Sequence, residues 1–221
     1  MSADTPGPFG AHAAALADIG YEPIPLAGKR PIHTDWQHFD PDKLPTLIYA
    51  SPNANVGINT RGLAALDCDI YDKEVADHMR QFVIKRLKRG SAKILFRVGQ
   101  PPKWMALFRR ETPGPKRRSA QFEDARGRRH MIEWLCDGQQ ALLFGPHPET
   151  GKPMRWPNGS PLDGPTPPEA LHVATEDDID AINAEFERVA GLSNWRLITP
   201  AGEAQADTTP AAAPVEGLTL D

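Results

Sequence analysis

Apolar and polar residues follow one another along the chain in patterns that predict both helices and strands. Four segments repeat apolar side chains at the spacing of a helix face or are rich in alanine. They cover residues 9–19, 42–50, 73–87 and 174–190. Thr175 and Asp178 resemble a capping box, which favours the start of the last helix at that point.

Short apolar runs bounded by Gly, Pro and Asp predict strands. They cover residues 22–26, 55–59, 63–70, 92–98, 104–108, 119–122, 130–136 and 139–144. Two pairs of these runs are predicted hairpins, one across residues 60–62 and one across Asp137 and Gly138. Residues 110–118 are predicted to be a basic loop. Helices and antiparallel strands in mixed order indicate an α+β fold and not a doubly wound parallel sheet.

The domain organisation predicted from composition is one folded unit, residues 9–198, between two disordered ends, residues 1–8 and 199–221. The second end is rich in Ala, Pro and Thr, as interdomain linkers are. No run of about 18 apolar residues predicts a membrane span, and no secretory signal is expected. The two cysteines make neither a disulfide framework nor a zinc motif. A cytoplasmic location is the simplest expectation.

Charge is strongly segregated along the chain, although the net charge is only −4. Residues 85–130 contain fifteen Lys or Arg and three Asp or Glu, so this segment carries +12 and the remainder carries −16. Such a segment is typical of a surface that binds a polyanion such as nucleic acid. The alternative is a basic face that only contacts solvent.

Acidic residues inside apolar strands are the candidate chemistry. Asp67 and Asp69 are two residues apart in a predicted strand, so their side chains share one face. Burying them there is costly without a cation, and hard oxygen ligands suit Mg²⁺ or Mn²⁺. Glu133 interrupts an apolar row in another strand. The alternatives are an exposed strand end for the two aspartates and an ion pair with Arg128 or Arg129 for Glu133.

Four blocks in order resemble the bifunctional primase-polymerase domain of the archaeo-eukaryotic primase superfamily, as found in phage and plasmid replication proteins. They are GYEPIPLAGKRPIHTDW, NANVGINTRGLAALDCDI, RGSAK and IEWLCDGQQALLFGPHPETGKPMRW. The second is similar to the family's strand and acidic motif. The third is similar to an Arg-x-Gly-x-x-Lys motif, and the fourth to the block that carries a third acid. The resemblance covers about residues 20–156.

The resemblance implies a small α/β unit packed on a modified RNA-recognition-like unit with antiparallel strands. It also implies template-directed primer synthesis and extension with nucleoside triphosphates on single-stranded DNA, with a helicase domain or protein as a further partner. By resemblance, Asp67, Asp69 and Glu133 are the catalytic carboxylates and hold the divalent metals.

The side that binds the triphosphate departs from the family pattern. Many members have a Ser-x-His motif there, whereas this chain has Lys93 at the corresponding place. Lys93, with Arg89 or Arg97, is the predicted partner of the triphosphate, and the alternative for Lys93 is a strand lysine with its ammonium at the surface. His147 is a further nucleotide-binding candidate, or a residue that stabilises a turn, and Lys29 is a weaker one. The predicted DNA-binding residues are Arg109, Arg110, Lys116, Arg117, Arg118, Arg128 and Arg129.

Two other functions are compatible with these residues. One is a non-catalytic replication module that binds DNA or a nucleotide. The other is a metal-dependent nuclease, since carboxylate clusters serve both hydrolysis and nucleotidyl transfer.

Overall fold

Two β-sheets with helices packed around them are seen in a computed structural model that describes residues 6–87 and 92–203. The α-helices in these ranges are α1 (Pro8–Asp18), α2 (Leu44–Ala50), α3 (Lys73–Leu87) and α4 (Glu176–Leu192). Short 3₁₀ turns cover Pro41–Lys43 and Pro168–Ala170. None of the helices in the described ranges is long and apolar enough to cross a membrane.

The strands of the described ranges are mostly short. They are β1 (Pro23–Ala27), β2 (Arg30–Pro31), β3 (Asn55–Asn59), β4 (Leu63–Asp69), β5 (Leu95–Arg97), β6 (Trp104–Arg110), β7 (Arg117–Arg118), β8 (Gln121–Glu123), β9 (Arg129–Leu135), β10 (Gln140–Phe144), β11 (Val173–Ala174), β12 (Arg196–Thr199) and β13 (Gly202–Glu203). The predicted α+β class is confirmed.

The predicted helices agree closely with the structure because their sequence signals are local. The apolar stripe of α3 is buried at Val75, Met79 and Val83. At the start of α4 the Thr175 hydroxyl accepts a hydrogen bond from the Asp178 backbone N–H, and the Asp178 carboxylate accepts one from the Thr175 N–H. This is the predicted capping box.

The small sheet has the order β10-β3-β1-β2 and is antiparallel throughout. The large sheet follows the order β11-β6-β4-β9-β7-β13, with β5 added to β6 and β8 added to β9. Strand β4 therefore lies in the middle of the large sheet, between β6 and β9. Most pairs in the large sheet are antiparallel, and β11 joins β6 in parallel.

The two faces of the large sheet are covered by different elements. Leu66 and Cys68 of β4 belong to the buried cluster that contains the apolar stripes of α3 and α4. Leu63 and Ala65 point to the other face, where they join a cluster with α1 and the small sheet. Alternation along β4 thus places it between two cores. Asp67 and Asp69 continue the second face at the end of the strand.

Both predicted hairpins are wrong, although their turns form. β3 and β4 belong to different sheets, and so do β9 and β10. Gly62 and Gly138 adopt positive φ angles of 68° and 76°, so the chain does turn there. The turn residues bond to each other and not across a hairpin: the buried Thr60 hydroxyl contacts the carbonyl oxygens of Cys136 and Gln139.

The ends of the folded unit differ in part from the prediction. The predicted loop 110–118 contains the end of β6 and strand β7. Residues 202–203, which were predicted to belong to the disordered tail, form β13 and pair with β7. Arg89, most of the RGSAK block, residues 1–5 and residues 204–221 lie outside the described residues.

Replacing Thr60 with Val is expected to lower the free energy of unfolding by about 1 kcal/mol, because the carbonyl oxygens of Cys136 and Gln139 lose the hydroxyl and each keep only a backbone N–H donor. Chemical denaturation followed by tryptophan fluorescence measures the change. Thr60→Ser keeps the hydroxyl and should lose much less. Equal loss in the two variants would contradict a role for the hydrogen bond.

Candidate active site

The three predicted carboxylates lie together on one face of the large sheet. Asp67 in β4 is directly opposite Glu133 in β9, and Asp69 is opposite Met131. Residues opposite one another on adjacent strands share a face, and so do residues two apart on one strand. The register therefore brings Asp67, Asp69 and Glu133 to one side of the large sheet.

Cations accompany these acids. Lys103 Nζ lies 3.1 Å from Asp69 Oδ1, and Lys116 Nζ lies 2.8 Å from Glu133 Oε1. All four side chains are at most one-third exposed. Partly buried carboxylates are costly to desolvate without partners, so the two lysines offset the negative charge of the site.

Asp67 is the most perturbed acid of the site. Its burial raises its pKa to about 6, and the carboxylates of Asp69 and Glu133 act in the same direction. Arg97 and Lys29 oppose the rise in pKa only in part. Asp67 therefore lies where additional positive charge would be favourable.

Arg97 connects the two sheets at this point. It ends β5 opposite Met105, which is itself opposite Asp67. The side chain is buried, and its Nη1 donates a hydrogen bond to the carbonyl oxygen of Leu142 in the small sheet. Its Nε has no hydrogen-bond partner among the described residues. Burial lowers the pKa of Arg97, whereas Asp67 and Asp69 raise it. The guanidinium thus provides a donor beside the acids.

A crevice on the β5 side of β4 brings these groups together with two loops of the small sheet. It is lined by Lys29, Asp67, Asp69, Arg97, Gly99, Gln100, Lys103, Trp104 and His147. Its volume is only about 20 Å³, room for about one water. Gly99 allows this close approach, since a Cβ there would lie 2.7 Å from His147 Cδ2. Among these lining residues, Lys29 has the exposed side chain.

His147 is a neutral donor at the crevice. Its Nδ1 accepts a hydrogen bond from the Glu149 N–H at 3.3 Å, so in the neutral ring the proton is on Nε2. Burial lowers the pKa of His147, and the charge of Lys29 lowers it further. The predicted turn role also has support, since the His147 N–H donates to the Lys152 carbonyl oxygen at 2.7 Å.

Lys93 lies apart from this crevice. Its Nζ donates a hydrogen bond to Thr166 Oγ1 at 3.1 Å, and its backbone pairs with Leu171. Lys29 and Lys103 line the crevice instead. The sequence signal for Lys29 was weak, and Lys103 was missed within the basic segment because only the strand register brings it to Asp69.

Several predicted DNA-binding residues form ion pairs inside the protein. Arg110 and Arg117 both contact Glu176 of α4, at 2.8 and 2.9 Å, and Arg128 contacts Asp124 at 2.7 Å. With Lys116 on Glu133, four of the seven predicted residues are paired in this way. Arg109, Arg118 and Arg129 form no ion pair with the described part of the chain. Of these three only Arg129 is exposed.

The carboxylates fit a hard divalent cation in ligand type and charge, although they do not form a closed site as they stand. Among residues 6–87 and 92–203 no group of three His, Cys, Asp or Glu side chains is placed to hold a metal ion. Lys103 and Lys116 form ion pairs with Asp69 and Glu133. Oxygen donors on one face, together with the raised pKa of Asp67, suit Mg²⁺ or Mn²⁺.

Comparison with known proteins adds one finding. A family model described as bifunctional DNA primase/polymerase, N-terminal, matches residues 13–171. The match covers well over half of the 221 residues and includes the three acids and every residue that lines the crevice. No curated protein matches the chain.

Replacing Asp67 with Asn is expected to raise the free energy of unfolding of the metal-free protein by about 1–3 kcal/mol at pH 8. The raised pKa means that ionised Asp67 destabilises the folded state above about pH 6. Below that pH the folded state takes up the proton, and the gain should shrink as the pH falls towards 4. Urea unfolding in EDTA at pH 8 and pH 5 measures both values.

Asp163→Asn provides the control of opposite sign. Hydrogen bonds from Ser160 lower the pKa of Asp163, so its ionised form stabilises the fold. This variant should gain nothing at pH 8. A gain for Asp67→Asn that is equal at both pH values would contradict the assigned burial cost.

Proposed function

Since the chain belongs to the bifunctional DNA primase/polymerase family, we propose that it makes and extends primers by template-directed nucleotidyl transfer at Asp67, Asp69 and Glu133. The proposal places this activity in phage or plasmid DNA replication. The observation that carries it is the register that sets Asp67 opposite Glu133, with Asp69 beside them and Arg97 across β6.

The reaction joins the 3′-hydroxyl of one nucleotide to the α-phosphorus of a bound triphosphate. A bond forms between the 3′-oxygen and the α-phosphorus. The bond from that phosphorus to the oxygen bridging to the β-phosphate breaks, and pyrophosphate leaves with the electron pair. The hydroxyl proton passes to solvent. Members of this class of nucleotidyltransferase use divalent metals.

Asp67, Asp69 and Glu133 would hold those metals, and Mg²⁺ or Mn²⁺ supplies charge neutralisation at the attacking and leaving oxygens when bound. Lys103 and Lys116 lie on two of these carboxylates in the metal-free protein. Each lysine would give up its carboxylate to a cation of higher charge. The lysines thereby keep the acids from facing one another unpaired before substrate arrives.

The phosphates of the triphosphate would bind at the mouth of the crevice on the β5 side, since its interior has room for only about one water. Arg97 is a fixed donor there, His147 is a neutral donor, and Lys29 is an exposed ammonium. These three come from different elements, and all line the same space. An arginine, a lysine and an N–H donor are the groups that bind phosphate oxygens most often. Lys93 and Arg89 remain predictions for triphosphate binding. A helicase partner and a cytoplasmic location also remain predictions.

The double variant Asp67→Asn, Asp69→Asn is expected to reduce primer synthesis by at least about a hundredfold, because the metal ligands are lost, and to leave binding of single-stranded DNA largely intact. Incorporation of labelled nucleotides with Mg²⁺ or Mn²⁺, and fluorescence anisotropy of labelled DNA, measure the two properties. Asp18→Asn, an exposed change at the end of α1, is the control.

Three outcomes of this experiment would contradict the proposal. Full synthesis by the double variant would remove the acids from the mechanism. A wild-type protein that binds DNA but incorporates no nucleotide would be a binding module. Degradation of DNA without triphosphates would indicate a nuclease.

Lys29→Met is expected to raise the KM for the triphosphate by about tenfold, the usual effect of losing one charged phosphate contact. Lys93→Met should leave this KM within about twofold, because Lys93 contacts Thr166 and not the crevice. Steady-state incorporation on a primed template measures both. A tenfold rise in this KM for Lys93→Met, with no change for Lys29→Met, would indicate that Lys93 binds the triphosphate instead.

A further inference from the structure

A second groove lies beside the acids, on the opposite side of β4 from the crevice. It is lined by Tyr71, Gln121, Arg128, Arg129 and Met131, and it shares Asp69 and Lys103 with the crevice. Its volume is about 530 Å³. We propose that this groove seats the 3′ end of the growing primer strand, whose hydroxyl attacks the triphosphate.

The position of the groove relative to the crevice is the main argument. The large sheet runs β5, β6, β4, β9, β8 across this region. The crevice lies on the β5 side of Asp69, and the groove is built on β9 and β8. In a phosphoryl transfer the attacking and leaving oxygens lie roughly in line through the phosphorus. If pyrophosphate leaves on the crevice side, the 3′-hydroxyl arrives from the groove side. This step rests on the proposed function.

The chemistry of the groove fits the last nucleotides of a strand. Arg129 is exposed and lies on the same face of β9 as Met131 and Glu133. It forms no ion pair within the described ranges, so its charge is available to a backbone phosphate. Met131 and the ring of Tyr71 offer apolar surface to a sugar or base. Gln121 Nε2 lies 3.6 Å from Met131 Sδ, at the β8 side of the groove.

Contacts within the groove hold its base in place. Lys103 Nζ lies 3.8 Å from the centre of the Tyr71 ring and 3.1 Å from Asp69 Oδ1. Arg128 is tied to Asp124 at 2.7 Å and donates to the Tyr71 carbonyl oxygen at 3.3 Å. The ring of Tyr71 is therefore linked to Asp69 through one lysine. A strand end resting on Tyr71 would lie next to the acid that takes part in the transfer.

Separating primer extension from initiation gives the first test. Formation of the first dinucleotide on an unprimed template uses no primer backbone. Arg129→Ala is expected to raise the KM for a primed template about tenfold and to lower primer extension more than it lowers formation of the first dinucleotide. Lys85→Ala is the matched control, since exposed Lys85 lies on α3 at the other face of the sheet, and it should change neither.

The alternatives give different patterns. An equal fall in extension and in dinucleotide formation would mean that the groove holds the template strand. No change in either would mean that Arg129 contacts no strand during the reaction. Both results overturn the inference. Absence of any product from the wild-type protein would instead overturn the proposed function.

Cross-linking tests the same inference without catalysis or metal. Cys68 and Cys136 are buried, so a benzophenone maleimide should label Gln121→Cys selectively. On a primer–template with either strand labelled, irradiation is expected to attach the primer strand near its 3′ end. The same probe on Lys85→Cys should attach neither strand. Attachment of the template alone, or of no strand by the Gln121→Cys protein, overturns the inference.

Discussion

The need to keep three carboxylates together on one sheet face is the constraint on which this structure depends. Asp67, Asp69 and Glu133 lie on neighbouring strands, and each has a cation within reach from another part of the chain. Without those cations the ionised acids would repel one another and lose hydration. The elements around β4 are arranged so that lysine and arginine side chains reach this face.

The basic segment of the sequence supplies the cations that pair with these carboxylates and with an acid of α4. Much of the basic segment compensates acids of the protein itself: Lys103 and Lys116 contact site carboxylates, and Arg110 and Arg117 contact Glu176. The polyanion surface suggested by composition is therefore smaller than the count of basic residues indicates. A cluster of like charge in the sequence shows where cations are, but the fold decides which of them remain exposed.

Features with local causes could be predicted from the sequence, and features with distant causes could not. The stripe of α3 and the capping box of α4 depend on residues three or four apart, and both are confirmed. The same-face placement of Asp67 and Asp69 follows from strand alternation. The hairpins were wrong because a glycine turn determines that the chain reverses, not which strand it then pairs with. β3 pairs with β10 and β4 with β9, between residues that are about 60 to 90 positions apart in the sequence.

The chain passes from one sheet to the other between β3 and β4 and again between β9 and β10. These two crossings also explain why the candidate site contains residues that no motif reveals. Thr60 contacts the backbone at Cys136 and Gln139, and the Asp137 carboxylate accepts from Gly62 N–H, so both crossings are held at one point. From there β4 continues to the acids in the large sheet, while β10 continues to the loop of His147 in the small one. Arg97 joins the sheets again at Leu142. The acids are thus encoded within two strands, whereas the cations around them depend on how the two sheets are joined.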